Sequence, residues 1–284
     1  MKGKRFGFHL SISKGLTHSL HETIELGCNS LQVFSRNPRS WKKKRFNKNE
    51  VEDFKKVRKD LSIFPLVIHS IYLINACSDN FDIYKKSKRL LVEEAKTTEL
   101  LGGDFLVLHP GSCKLVNKGI KRLASAIDTA SKFLSGNKKI LIENVAGGGN
   151  QIGKNFDELK RILDRVKNPD KIGICLDTCH LFAYGYNFRV EMNTMSMFSE
   201  LFDMIGLEKI NLIHLNDSKF DLGSKRDQHE HLGKGKIGTN GFVNLFKTGF
   251  LDNIPIIMET PKDFENADKK NLQMLKKILK KAKP

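Results

Sequence analysis

Histidines and carboxylates recur at the ends of short apolar runs along this 284-residue chain. Three such runs are Phe105-Leu-Val-Leu-His109, Ile140-Leu-Ile-Glu143 and Ile256-Ile-Met-Glu259. Imidazole nitrogens and carboxylate oxygens hold divalent cations and also serve in acid–base catalysis. A single such residue at the end of a strand is usually a satisfied polar group. The repetition of the pattern therefore favours a shared site.

The candidate metal ligands number nine: His69, His109, Glu143, Asp177, His180, His214, Asp227, His229 and Glu259. Nine are too many for one ion and enough for three ions, with Glu143 bridging. Carboxylates crowded into one pocket repel each other, and each uncompensated buried charge costs several kcal/mol. Because none of these strand ends carries Lys or Arg, bound cations are the simplest compensation. Mixed imidazole and carboxylate ligands favour zinc, with manganese or iron as alternatives at one site.

The remaining histidines receive other interpretations. His9 ends the first apolar run and is expected beside the substrate or behind the ligands rather than among them. His18 and His21 lie in the first helical segment and are expected to be exposed. His231 follows the Asp227–His229 pair, and the sequence assigns it no role.

Five cysteines are scattered along the chain without a CxxC pair, which argues against a disulfide framework and a thiolate zinc site. Cys175 and Cys179 lie close enough in sequence to be considered as ligands. The favoured interpretation is that both are small buried apolar residues.

Eight β-branched-rich runs alternate with longer segments of helical spacing. The predicted strands are Phe6–Ile12, Ser30–Ser35, Pro65–Ser70, Phe105–Pro110, Lys139–Val145, Ile172–Thr178, Ile210–Asn216 and Ile254–Thr260. This alternation predicts an α/β fold, a (β/α)₈ TIM barrel forming a single domain over residues 1–284. The carboxyl ends of the strands meet at one mouth of such a barrel, so the metal site is expected there.

The C-terminal segment places Leu272, Leu275, Ile278 and Leu279 on one helical face and lysines on the other. Two interpretations are open: a DNA-binding tail, or the last outer helix of the barrel with a solvated face. The second is favoured.

The net charge of +17 favours a polyanionic partner such as nucleic acid, although a lysine-rich composition alone produces the same excess. No apolar run reaches the ~18 residues that span a bilayer. The N-terminus also shows no signal-peptide pattern. We therefore expect a cytoplasmic protein without a membrane partner.

The sequence resembles the endonuclease IV family of apurinic/apyrimidinic endonucleases from Phe6 to about Pro261. The motifs that carry the resemblance are His69–Asn75, Leu108–Gly111, Ile142–Asn144, Leu176–His180, Ile213–Lys219, Asp227–His229 and Met258–Pro261. Seven motifs in this order are far more specific than any one of them.

The resemblance implies three zinc ions in a barrel. The first would be held by His69, His109 and Glu143, and the third by His180, Asp227 and His229. The second would be held by four residues, namely Glu143, Asp177, His214 and Glu259. The implied reaction is hydrolysis of the phosphodiester bond 5′ to an abasic site, leaving a 3′-hydroxyl, in base excision repair. Glu143 and Glu259 would be the catalytic carboxylates, the second orienting the nucleophile.

The resemblance also implies a substrate, double-stranded DNA containing abasic sites, and a monomeric enzyme. Arg39, Tyr72 and Leu73 would lie on mouth loops, wedge into the duplex and support a flipped-out nucleotide. The sequence departs from the family pattern at Gln228, where Arg is usual. This leaves the ligands in place and puts a local phosphate contact in question.

Two other functions compete with this interpretation. Sugar isomerases and epimerases share the barrel and use Glu, Asp, His and Glu at the strand ends, but they do not require the additional ligands His69, His109, His180, Asp227 and His229. A catalytically idle DNA-binding barrel would be indicated by the loss of a ligand, and every expected position is occupied.

Overall fold

Eight parallel strands pair side by side into a closed barrel in the computed structural model, which describes residues 4–42 and 44–283. The barrel strands are β1 (Phe6–Leu10), β2 (Ser30–Phe34), β3 (Leu66–His69), β4 (Phe105–Leu108), β5 (Lys139–Glu143), β6 (Ile172–Asp177), β7 (Ile210–His214) and β10 (Ile256–Met258). The short strands β8 (Asp217–Ser218) and β9 (His229–Glu230) form a separate two-stranded sheet. Neighbours along the chain are neighbours in the barrel, and β10 closes the ring by pairing with both β7 and β1. The predicted TIM barrel is confirmed.

Nine α-helices lie among the described residues: α1 (Leu16–Glu25), α2 (Lys48–Asp60), α3 (Phe81–Leu101), α4 (Val116–Ala130), α5 (Phe156–Leu163), α6 (Thr178–Tyr184), α7 (Glu191–Met204), α8 (Gly238–Lys247) and α9 (Ala267–Ala282). The apolar faces of α4, α5 and α9 are buried as their spacing predicts. The C-terminal lysine-rich segment is therefore an outer helix of the barrel, with Leu275 and Ile278 fully buried. No helix in residues 4–42 and 44–283 has the length and apolarity needed to cross a bilayer.

The strands are shorter than predicted, mainly at their carboxyl ends. The first was predicted to reach Ile12 and ends at Leu10, and the last was predicted to reach Thr260 and ends at Met258. Thr178 was assigned to the sixth strand, but it begins α6. At the mouth the chain turns away from its neighbours toward the loops, so the ladder of backbone hydrogen bonds stops while the apolar pattern continues.

A layer of apolar side chains fills the barrel below the mouth: Val67, Val107, Leu141, Cys175, Leu212 and Ile257. Successive side chains of a strand alternate between its two faces, so the residue two positions later also points inward. In these six strands that residue is His69, His109, Glu143, Asp177, His214 or Glu259. Six of the nine candidate ligands therefore lie directly above the apolar layer, on the same inward face of the strands.

Candidate metal centre

The nine predicted ligands lie together at the carboxyl ends of the strands, in three groups. Within each group the candidate ligand atoms lie within 4.8 Å of one another. The groups are His69 with His109 and Glu143; Glu143 with Asp177, His214 and Glu259; and His180 with Asp227 and His229. A further combination places Cys179 beside Asp177 and His229.

Glu143 lies at the centre of the arrangement and is fully buried. Its Oε2 atom lies 2.9 Å from Nε2 of His109 and 3.2 Å from Nε2 of His69. Its Oε1 atom lies 3.0 Å from Nδ1 of His214 and 3.4 Å from Nδ1 of His180. The two oxygens therefore face different groups, as a bridging carboxylate requires.

The distances between donor atoms are close to those expected around a single shared metal ion. Two ligand atoms that lie 2.0–2.2 Å from one tetrahedral zinc ion are about 3.3–3.6 Å apart. In the third group, Nε2 of His180 lies 3.0 Å and Nε2 of His229 lies 3.6 Å from Oδ1 of Asp227. The donors are thus already close enough to share an ion.

Several imidazoles are held through one nitrogen, while the other nitrogen faces the cluster. Nδ1 of three rings contacts backbone carbonyl oxygens: His69 that of Ser70, His180 that of Asn144, and His229 that of Glu259. The remaining Nε2 atoms of His180 and His229 are buried and face Oδ1 of Asp227. Such carbonyl partners orient metal-bound histidines in proteins and fix their tautomer.

The charges of the cluster act strongly on each other. Burial alone would raise the pKa of Glu143, but the facing imidazoles of His109 and His214 lower it well below its usual value. Burial alone would lower the pKa of His180, whereas the carboxylates of Asp177 and Asp227 raise it well above its usual value. Among the described residues, no Lys or Arg forms an ion pair with any of the nine side chains. The negative charge of the carboxylates can therefore be balanced only by imidazolium protons or by bound cations.

The thiols fit a metal site less well than the imidazoles do. Burial raises the pKa of Cys175 to about 12, and burial also raises the pKa of Cys179. Among the described residues, Cys175 belongs to the apolar layer and to none of the ligand groups, and Sγ of Cys179 contacts the carbonyl oxygen of Gln228 at 3.6 Å. Imidazole and carboxylate donors without thiolate suit zinc.

Asp177 joins the strand to the helix that carries another candidate ligand. Its Oδ1 atom accepts the backbone N–H of His180 at 2.7 Å and caps α6. Its Oδ2 atom accepts the side-chain amide of Asn216 at 2.7 Å and lies 3.6 Å from Nε2 of His229. One carboxylate thus fixes the start of the helix and faces two of the groups.

The loop that supplies Asp227 and His229 is held by a buried carboxylate. Asp217 accepts backbone N–H groups from five residues: Ser218, Gly233, Gly235, Ile237 and Gly238. It belongs to β8 (Asp217–Ser218), which pairs with β9 (His229–Glu230). Sequence reasoning did not single out Asp217, although it lies within the Ile213–Lys219 motif.

The other histidines differ in their surroundings. His18 and His21 are exposed on α1, as predicted. His231, to which the sequence assigned no role, is buried between Asp263 and Asn271. Nδ1 of His9 lies 3.0 Å from Oε1 of Glu259, and His9 is in none of the ligand groups.

The predicted DNA-contacting residues lie on two loops at the mouth. Tyr72 is 61% exposed, and its ring packs near those of His69 and His109. Arg39 is exposed, whereas Leu73 is half-buried and packs against the core. Tyr72 lines both the cavity over the ligands, ≈ 410 Å³, and an adjoining cavity of ≈ 680 Å³.

Sequence reasoning missed one polar residue in the wall of the site. Gln32 is fully buried in β2, and its amide contacts His9, His214 and Glu259. The available signal was a polar residue inside the otherwise apolar run Leu31–Phe34, two positions after Ser30 on the same strand face.

Comparison with known proteins places this centre in a family. The family model described as a xylose isomerase-like TIM barrel matches residues 20–278. A protein of Halothermothrix orenii named "probable endonuclease 4" is 42% identical over 93% of this chain and 96% of its own length.

Two solved structures resemble the chain to different degrees. Endonuclease IV from Thermus thermophilus superimposes with a TM-score of 0.87 at 34% identity, covering 98% of this chain and 100% of its own. A D-tagatose 3-epimerase-like protein superimposes with a TM-score of 0.71 at 17% identity, covering 97% and 98% of the two chains. The second likeness establishes only a shared barrel.

Proposed function

The chain belongs to the endonuclease IV family, and from this premise we infer that it is an apurinic/apyrimidinic endonuclease. It is a metal-dependent enzyme that hydrolyses DNA on the 5′ side of an abasic site and leaves a 3′-hydroxyl. It acts as a monomer on double-stranded DNA in base excision repair. The observation that carries the proposal is the convergence of nine imidazole and carboxylate side chains, free of Lys and Arg partners among the described residues, at one end of the barrel.

We assign the nine residues to three zinc ions, following the three groups of donor atoms. His69, His109 and Glu143 hold the first ion, and His180, Asp227 and His229 hold the third. The second ion is held by Glu143, Asp177, His214 and Glu259. The buried Nε2 atoms of His180 and His229 support this assignment, because they lie 3.0 and 3.6 Å from the same oxygen of Asp227, within their own group.

Zinc bound in these groups supplies Lewis acidity toward the scissile phosphate and lowers the pKa of water toward neutrality. The chain's own contribution is to hold the reacting groups in a fixed geometry. Glu143 spans the first two groups with separate oxygens. Oε2 of Glu259 faces His214 at 3.2 Å, and the same carboxylate lines both mouth cavities. Glu259 is therefore placed to orient a water molecule beside the phosphate.

Recognition of the lesion is assigned to Arg39, Tyr72 and Leu73. The exposed ring of Tyr72 stands between the two mouth cavities, so an aromatic wedge there would separate bases beside an extruded nucleotide. The half-buried Leu73 packs against the hydrophobic core and anchors this loop. Extrusion costs least where no base is paired, which contributes to selectivity for abasic sites.

The test is a duplex with one tetrahydrofuran abasic analogue, incubated with the protein before and after chelation. We expect a single nick 5′ to the analogue, lost on metal removal and restored by zinc. The same duplex with an intact base is the control and is expected to remain uncut. An uncut lesion strand in the presence of fully metallated protein would refute the proposal.

The same protein preparation can be used to test the alternative function, a sugar isomerase. The five additional ligands, His69, His109, His180, Asp227 and His229, lie around the four residues that an isomerase site would use. We expect no turnover of ketoses with added manganese. Ketose turnover without nicking of the lesion duplex would favour the isomerase.

A further inference from the structure

The side chain of Gln32 contacts two of the proposed metal ligands, Glu259 and His214. It lies in β2, a barrel strand that supplies none of the nine ligands, and it is fully buried. Its Nε2 atom lies 2.6 Å from Oε1 of Glu259, and its Oε1 atom lies 2.8 Å from Nε2 of His214. One amide therefore reaches side chains of two other strands.

The chemistry of the partners fixes the orientation of this amide. An ionised carboxylate can only accept hydrogen bonds, so the amide nitrogen of Gln32 must face Glu259. Its oxygen then faces His214, and an amide oxygen can only accept. Nε2 of His214 must therefore carry a proton.

The tautomer of His214 follows from this orientation. In the neutral imidazole, one nitrogen carries the proton and the other carries a lone pair. With the proton on Nε2, the lone pair is on Nδ1, which lies 3.0 Å from Oε1 of Glu143 and 3.2 Å from Oε2 of Glu259. The free lone pair of His214 thus points at the second ligand group.

Glu259 is oriented by the same contact. Its Oε1 atom accepts the amide of Gln32 and also lies 3.0 Å from Nδ1 of His9. This leaves Oε2 directed toward His214 and the ligand group. Rotation of the carboxylate would break the contacts at Oε1, so the amide holds one oxygen in place for an ion.

We propose that Gln32 is a positioning residue that sets the tautomer of His214 and the rotation of Glu259, and thereby the affinity of the second metal site. The inference rests on the metal centre of the proposed function. It adds a residue that binds no ion itself and acts through two that do. Partners of this kind typically contribute 10–100-fold in metal affinity or activity.

The test compares zinc-loaded wild type with Gln32→Met, which keeps the length of the side chain and removes both hydrogen bonds. Competition with a chelator is expected to show one ion bound about 10–100-fold more weakly in the variant, with the others unchanged. Nitrogen-15 NMR of the histidine rings is the second readout. Wild type is expected to show the Nε2–H tautomer of His214, and Gln32→Met is expected to lose its slowly exchanging N–H proton.

Two further variants separate positioning from packing. Gln32→Glu keeps an oxygen facing His214, so it should retain the Nε2–H resonance that Gln32→Met loses. Ser30 lies two positions before Gln32 in the same strand and contacts no ligand. Ser30→Ala removes its hydrogen bond to the carbonyl oxygen of Phe64. We expect Ser30→Ala to lower the melting temperature and to leave zinc affinity within twofold of wild type.

The outcomes are separable. Equal zinc affinity and equal ring spectra in wild type and Gln32→Met would overturn the role of Gln32 and leave the proposed centre standing. Equal weakening in Gln32→Met and Ser30→Ala would reduce the effect to packing. Failure of the wild type to bind zinc would instead refute the proposed centre.

Discussion

Replacement of Glu143 by Gln is expected to abolish cutting of the lesion duplex while leaving DNA binding largely intact. Each oxygen of Glu143 faces imidazole nitrogens of a different group. In the variant, an amide NH₂ group replaces one carboxylate oxygen. This group donates hydrogen bonds instead of accepting them, so the side chain cannot bridge two ions. Loss of several kcal/mol of transition-state stabilisation corresponds to a rate lower by about a thousandfold or more.

The measurement is single-turnover nicking together with fluorescence anisotropy on the same tetrahydrofuran duplex. A matched control is Glu158→Gln, because Glu158 is also buried but accepts the backbone N–H of Gly153 away from the cluster. We expect the control to lose stability and keep its rate. Unchanged turnover in Glu143→Gln would show that another group bridges the ions.

Removal of the metals is expected to destabilise the folded protein as well as inactivate it. Glu143, Asp177 and His214 of the second group are buried and Glu259 is largely so, and without ions their charges must be balanced by imidazolium protons alone. A ligand present at a thousand times its dissociation constant stabilises the native state by about 4 kcal/mol. At about 2–4 °C per kcal/mol, chelation should lower the melting temperature by roughly 10 °C or more.

Thermal denaturation followed by circular dichroism tests this expectation, with zinc and then magnesium added back to the chelated protein. Zinc should restore the melting temperature, because imidazole nitrogens suit zinc better than magnesium. A melting temperature unaffected by exhaustive chelation would mean that the ligand groups are balanced without ions.

The strand ends were predictable because two sequence signals coincide there. The apolar run marks the strand, and a following His, Asp or Glu marks its inward-facing end. The period of two along a strand explains why this works: Leu141 and Glu143 share one face, as do Leu212 and His214. The barrel and the placement of the candidate ligands at one mouth follow from these signals.

The strand boundaries were less predictable, since apolar character continues after the ladder stops. His109 and Glu259 were assigned to strands, but they follow strands that end at Leu108 and Met258. Burial at the mouth comes from loops packing over the strand ends, which a local pattern does not distinguish from pairing with a neighbour. Thr178 shows the same ambiguity, since the N-cap at Asp177 begins a helix directly.

The supporting residues were missed because they carry no distinctive chemistry of their own. Gln32 is a neutral amide in a buried strand, and its importance depends on His214 and Glu259, which are far away in sequence. Asp217 became recognisable only when its five backbone donors were placed around it. Residues that orient ligands are defined by their contacts, whereas ligands are also defined by type and position.

The central claim is that the nine side chains at the mouth hold divalent cations. Elemental analysis of the purified protein by inductively coupled plasma mass spectrometry tests it most directly. We predict about three tightly held ions per chain, chiefly zinc, as expected for three imidazole and carboxylate groups of which two share Glu143. Fewer than two ions per chain, in protein that is folded and has been offered zinc, would contradict the account.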